Sequence, residues 1–197
     1  MGANFLGGRL AGRISRGLGC SLEFPPPPLL LLTSAFPSSF SGWHPPPQGG
    51  FKFNTDPVVP SDGSSFNIGA VIRDAKGQVV LVVSKCLRGH FSVEVCEALA
   101  LREGLCLAKQ HCLSVGWAEV DTANVAAGVN SSKPCKSVAC FVFDDISSLC
   151  KDVGVFSCMA ISRVGNGLAH NLTSLAISSL RDHLWQGYCP SFLCAGC

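Results

Sequence analysis

Charge is what this sequence has least of. Only 14% of its 197 residues are charged while 47% are hydrophobic, against roughly 25% charged in an average soluble domain. A wholly disordered chain needs the opposite balance, low hydrophobicity with high net charge, and is excluded. Long apolar runs are missing as well. No stretch approaches the roughly 18 residues that a membrane-spanning helix needs, so neither such a helix nor a membrane partner is expected. A basic surplus is missing too. Arg9, Arg13 and Arg16 stand against the single acid Glu23 in residues 1–42, and the rest of the chain carries 12 basic and 12 acidic side chains. Proteins that hold nucleic acid mainly by neutralising phosphates carry a basic excess, so a nucleic-acid function here has to rest on particular residues.

Cysteine is plentiful, at twelve residues, but paired cysteine is not. Cys86, Cys96, Cys106, Cys112, Cys140, Cys150 and Cys158 stand singly among apolar neighbours, where a free thiol packs as a small hydrophobe. One close pair, Cys194 and Cys197, lacks the second pair or the histidines of a zinc site. A cysteine-based metal or redox protein would rest on those two residues alone. His90, His111 and His183 likewise lack clustered partners. No compact apolar core precedes a small-residue cleavage site, so no secretory signal is expected, and an intracellular place, nucleus or cytoplasm, is favoured. The first 22 residues hold arginines, serines and no acid, loosely like a transit peptide. Gly7, Gly8, Gly12, Gly17 and Gly19 spoil its helix, and organelle targeting stays open.

Residues 1–48 read as a leader, Gly- and Arg-dotted and then Pro-rich. Its clusters Pro25–Pro28 and Pro45–Pro47 withhold the backbone donors that helices and sheets require, which leaves extended chain. Residues 49–188 read as one domain and 189–197 as a Cys-containing tail. Phe51, Phe53 and Thr55 alternate with Lys52, Asn54 and Asp56, the period of a strand. Ile68–Arg73 and Val79–Val83 flank the turn residues 74–77, so three strands form an antiparallel meander. From Val93 to His111 the period becomes helical, with Ala98, Leu101, Leu105 and Ala108 on one stripe and Ser92 at the N-cap position. Trp117–Val120 is a short strand ending at Asp121, a short helix follows Thr122, and another covers 137–150. Val153–Ile161 is the fifth strand. The last helix begins after Gly165 with Leu168, Leu172, Leu175, Ala176 and Leu180 on its apolar side. Trp185 and Phe192 serve as apolar covers beyond it.

Three carboxylates stand where elements begin or end: Asp56, Glu97 and Asp121. Mg2+ takes hard oxygen ligands and keeps several waters, so a few carboxylates on rigid elements can hold it. Two such ions about 3.5–4 Å apart can activate a water and stabilise a leaving oxygen. Acids at element ends also merely cap and solvate them, and that reading stands beside the catalytic one.

Six blocks carry a resemblance. They are Trp43-His44-Pro45-Pro46-Pro47, Lys52-Phe53-Asn54-Thr55-Asp56, Gly69-Ala70-Val71-Ile72-Arg73-Asp74, the run from Glu97 to Leu105, Glu119-Val120-Asp121, and the run from Arg163 to His170. Together they resemble the plant ribonuclease H-like domain found alone or at the end of non-LTR retrotransposon polyproteins, over about Trp43 to Pro190. The resemblance implies an α/β fold, RNase H-like, with a five-stranded mixed sheet flanked by helices: the three-strand meander plus two parallel strands. It implies cleavage of the RNA strand of RNA–DNA hybrids with two Mg2+ ions, or Mn2+ in their place. Asp56, Glu97 and Asp121 then fall on the first three acidic metal positions; Glu94 is the poorer candidate beside Glu97. His170 falls on the fourth. Asn166, one turn before it, either contacts substrate phosphate or orders the helix start. The sequence departs from the family at His170, where the chemistry favours a carboxylate, at Ala160, where bacterial-type enzymes carry a loop histidine, and at Pro57, where the family prefers Gly. Those departures hold open a second implication, a catalytically impaired, retrotransposon-derived nucleic-acid-binding protein.

Overall fold

The structure, a computed structural model, describes residues 42–61, 63–131 and 138–194. Most of the leader, with any targeting signal, and Cys197 of the zinc-pair reading lie outside the described residues.

The meander consists of β1 (Phe51–Val58), β2 (Ser65–Asp74) and β3 (Val79–Arg88). It is followed by α1 (Val93–Gln110), β4 (Trp117–Val120), α2 (Ala123–Asn130), α3 (Val138–Val153), β5 (Ser157–Ala160) and α4 (Gly167–Ser179). The chain then adds β6 (His183–Gln186) and α5 (Ser191–Cys194). One mixed sheet results, in the order β5-β4-β1-β2-β3-β6, with β1–β4 and β4–β5 parallel and the other pairs antiparallel.

The α/β class and the mixed sheet are as expected, but there are six strands rather than five. The sixth, β6, pairs antiparallel with the edge of β3, Val82 facing Trp185. Four half-exposed residues are too few for a period of two to stand out, and their strand state is supplied by the open edge of β3. The fifth strand is shorter than expected, because α3 continues to Val153 and the chain turns at Gly154 with φ 85°.

The sheet separates two cores. Phe53, Ile72, Leu81 and Val83 face Leu101 and Leu105 of α1, with Ile146 and Cys150 of α3 in the same cluster. A side chain at Gly104 would collide with the Phe53 ring, which is why α1 can lie so close. On the opposite face Val71 and Val82 pack against Leu168 and Leu172 of α4 and Leu193 of α5. The packing does not stop at the expected limits of 49 and 188. Leu193 is buried and its carbonyl accepts from Asn171, while at the other end Trp43 stacks on the Arg73 guanidinium at 3.6 Å. Most of the single cysteines are free, with Cys96, Cys150 and Cys158 buried; Cys140 departs from that reading in being disulfide-bonded.

Pro57 sits inside β1 without breaking it, for a reason of parity. The carbonyls of Phe51 and Thr55 point to the β4 side, accepting from the Gly116 amide and the Asn166 side chain. The nitrogen of Pro57 shares that direction, since alternate residues of a strand offer their polar groups to the same neighbour. The β4 ladder has already ended at Asn54 opposite Glu119, so the missing N–H leaves no partner waiting.

Candidate active site

The carboxyl ends of parallel β1 and β4 lie side by side in the interior of the sheet. Ligands of open α/β sheets gather at such ends. Asp56 stands near the end of β1, 3% exposed. Asp121 follows the last residue of β4. Glu97 comes from α1, whose core stripe of Leu101, Leu105 and Ala108 runs back through it at helical spacing. That periodicity, with Ser92 capping the Val95 amide at 3.4 Å, turns Glu97 inward to 4% exposure and leaves Glu94 on the exposed side.

Burial dominates the electrostatics, and repulsion between the acids adds to it. Burial first, then the charge and hydrogen bonding of Asp121, push the Glu97 carboxyl up to about 8. Burial also raises Asp56, against the pull of its hydrogen bond from His170, and Asp121 adds to the rise. Glu97 Oε2 and Asp121 Oδ1 are buried without hydrogen-bond partners. Buried carboxylate oxygens normally find a donor or a cation.

The fourth expected position approaches from α4. Asp56 pairs across the sheet with Gly69, where a Cβ would run into the Ala169 carbonyl and lie 2.7 Å from Leu172 Cβ. Glycine there lets α4 descend onto the sheet and deliver two side chains to Asp56. His170 Nδ1 lies 3.0 Å from Asp56 Oδ2. The Thr173 hydroxyl donates to the His170 carbonyl at 2.6 Å and lies 3.3 Å from the same carboxylate oxygen. The imidazole is 40% exposed.

Asn166 is 1% exposed, its amide nitrogen donates to the Thr55 carbonyl at 2.9 Å, and its side chain makes no cap hydrogen bond. The side chain ties the start of α4 to the strand that carries Asp56, which is in line with the second of its two expected uses. Ala160 ends β5 opposite Val120, without a group that can carry a proton. Reasoning from sequence missed Lys52, Asn54, Glu119 and Thr173. The first two share the strand parity of Asp56, and that alternation was the available signal.

Three carboxylates suit a hard divalent cation in donor type and in charge, and the two unpartnered oxygens agree with that fit. Among the described residues no three His, Cys, Asp or Glu side chains are gathered closely enough to hold an ion as they stand, Asp56 being drawn toward α4. Imidazole is the wrong donor for a second hard ion, so the expected two-ion arrangement does not fit at His170.

The sheet order and the flanking helices define a class of fold, the RNase H-like α/β domain. The chain belongs to the reverse transcriptase-like family, which it matches over residues 54–176, a span that includes Asp56, Glu97, Asp121 and His170. No curated protein matches the chain significantly. Among solved structures it is similar to RNase H1 of Halobacterium salinarum, with a TM-score of 0.60 and 16% identity over 66% of this chain and 99% of that one. It is also similar to the N-terminal RNase H domain of a Mycobacterium tuberculosis protein, with a TM-score of 0.56 and 17% identity over 67% of this chain and 99% of that one. LC11-RNase H1, solved in complex with an RNA/DNA hybrid, gives a TM-score of 0.58 and 20% identity over 66% and 98% of the two chains. Among the described residues no helix is long and apolar enough to cross a membrane.

Proposed function

We propose that the chain binds RNA–DNA hybrids and hydrolyses their RNA strand with Asp56, Glu97 and Asp121 as the acidic site. The observation that carries this is that the charges of Asp121 and Asp56 both bear on Glu97, with buried, unpartnered oxygens on Glu97 and Asp121. Mg2+ bound by these residues, or Mn2+ in its place, supplies Lewis acidity at the phosphate and a water of lowered pKa. Asp56 and Asp121 provide the ligand charge. Glu97, which holds a proton more readily than an ordinary carboxylate, is suited to orient the attacking water and exchange its proton. A 2′-hydroxyl is the group that marks the RNA strand for such a site. His170 engages Asp56 instead of providing a fourth carboxylate, which favours chemistry through one ion. The six sequence blocks also support a plant, non-LTR retrotransposon origin.

One observation favours a second reading. The His170 ring takes up an oxygen of Asp56, as expected of a nucleic-acid-binding domain in which catalysis has been impaired. An end-labelled hybrid, incubated with Mg2+ beside a chelator control, separates the two. Metal-dependent cutting of the RNA strand that disappears in Asp121→Asn is expected, because that change removes a ligand charge at nearly constant volume. His170→Asp is expected to raise the rate about tenfold, the scale at which groups behind a metal ligand act. A folded protein that binds the hybrid without cutting it would establish the second reading.

A further inference from the structure

Behind the acidic site, on the same sheet face, lies a polar cluster that no step above uses. Lys52 Nζ and Glu119 Oε1 form an ion pair at 2.7 Å with 2% and 6% exposure. Asn54 donates to the other oxygen of Glu119 at 2.8 Å and accepts from Arg73 at 3.0 Å. The cluster is roofed by the chain before β1: Lys52 donates to the His44 carbonyl at 2.8 Å, and Trp43 lies over the Arg73 guanidinium. Burying two charges is costly, and a buried pair often adds little stability over hydrophobic side chains of similar size. Such a group calls for another explanation than stability.

Register supplies one. β1 and β4 are paired over only three residues, Lys52 with Trp117, Phe53 with Ala118 and Asn54 with Glu119. Beyond that point the Thr55 carbonyl turns to Asn166 rather than to β4, and the backbone ladder never reaches the acids. Asp56 and Asp121 each lie two residues past the last pair, so their alignment is inherited from Asn54 and Glu119. The hydrophobic pattern of β4 cannot set that alignment, because all four residues of Trp-Ala-Glu-Val are buried and a slip would still bury apolar surface on both faces. Glu119 is the single polar side chain of the strand, and Lys52 and Asn54 grip both its oxygens.

We infer that the Lys52–Asn54–Glu119 cluster is a register lock that aligns Asp56 with Asp121, making these three positioning residues of the acidic site. The functional part of this inference rests on the reading above; the structural part does not. The test uses the full chain and the paired variant Lys52→Met with Glu119→Leu, which removes both members of the ion pair together, while Arg73 keeps its hydrogen bond to Asn54 and its contact with the Trp43 ring. Cross-strand nuclear Overhauser contacts between β1 and β4 report the register, and calorimetric titration with Mn2+ alone reports the metal site. The variant is expected to stay folded, to show a second β1–β4 register or lose the contacts of the first, and to bind Mn2+ roughly 10- to 100-fold more weakly, as loss of support behind metal ligands does. Glu119→Gln, which keeps an acceptor for Lys52, should fall between. A folded variant with a single unchanged register overturns the inference. If the wild-type chain itself binds no Mn2+, the metal reading fails, and the register contacts still decide the lock.

Discussion

Glu97 is the residue whose chemistry is most displaced by its surroundings. Its carboxyl is moved from 4.5 to about 8, by burial first and by Asp121 next. Between those values the folded chain keeps a proton that the unfolded chain has released, so stability falls as pH rises. The contribution is complete below about 4.5 and is gone once pH passes about 8. Asp56, raised for the same first cause, adds to the trend. The melting temperature of the metal-free protein should therefore decline across that window, with a flatter profile in Glu97→Gln. Mg2+ should restore most at the alkaline end, where the carboxylates are ionised. Equal slopes in the two proteins, followed by thermal scans from pH 4.5 to 8, would contradict the assignment of Glu97 as the strained acid. Its position was legible in the sequence because it extends an apolar helical stripe by one turn. The pairing of His170 with Asp56 was not, since it joins residues 114 apart.

At the scale of elements, the site depends on how near α4 comes to β2. Gly69 sets that distance: a Cβ there meets the Ala169 carbonyl and lies 2.8 Å from the Thr173 amide, both backbone atoms that cannot swing aside. Gly69→Ala should cost about 1–3 kcal/mol, the usual range for an overpacked contact. It should also lift Thr173 and His170 away from Asp56, so the imidazole resonances and the melting temperature are expected to move together. A melting temperature equal to wild type would mean that the helix yields without strain. The helices α1 and α4 were readable from their spacing, and so was the meander. The strand β6 was not, because it borrows its structure from the edge of β3.

For the whole molecule, the domain proper begins before the residue at which the sequence turns globular. Trp43 and His44 belong to a proline-rich stretch, yet they cover Arg73 and Lys52 and close the buried polar cluster. A chain starting at residue 49 loses the Trp43 ring from two cations, Arg73 at 3.6 Å and Lys52 at 5.7 Å, the nearer contact worth about 1–2 kcal/mol, and a hydrogen bond from the charged Lys52 to the His44 carbonyl, about 1.5–3 kcal/mol. Compared by differential scanning calorimetry with a chain starting at residue 42, it should melt roughly 5–15 °C lower. Equal melting temperatures would show the segment to be a mere appendage. Composition could not reveal this, because three prolines in a row describe the local backbone and say nothing of the two side chains ahead of them.

By itself the sequence determined the order of most elements, which follows from local periodicity, while the class of fold and the three acids were legible only through the family resemblance that its six blocks carry. Only the tertiary structure decided what surrounds those acids: the burial that raises Glu97, the histidine on Asp56, the asparagine holding the end of β1 and the ion pair behind them. The physical reason is range. Periodicity acts over a few residues, whereas each of these contacts joins residues that are distant in the chain and adjacent only once the sheet has closed.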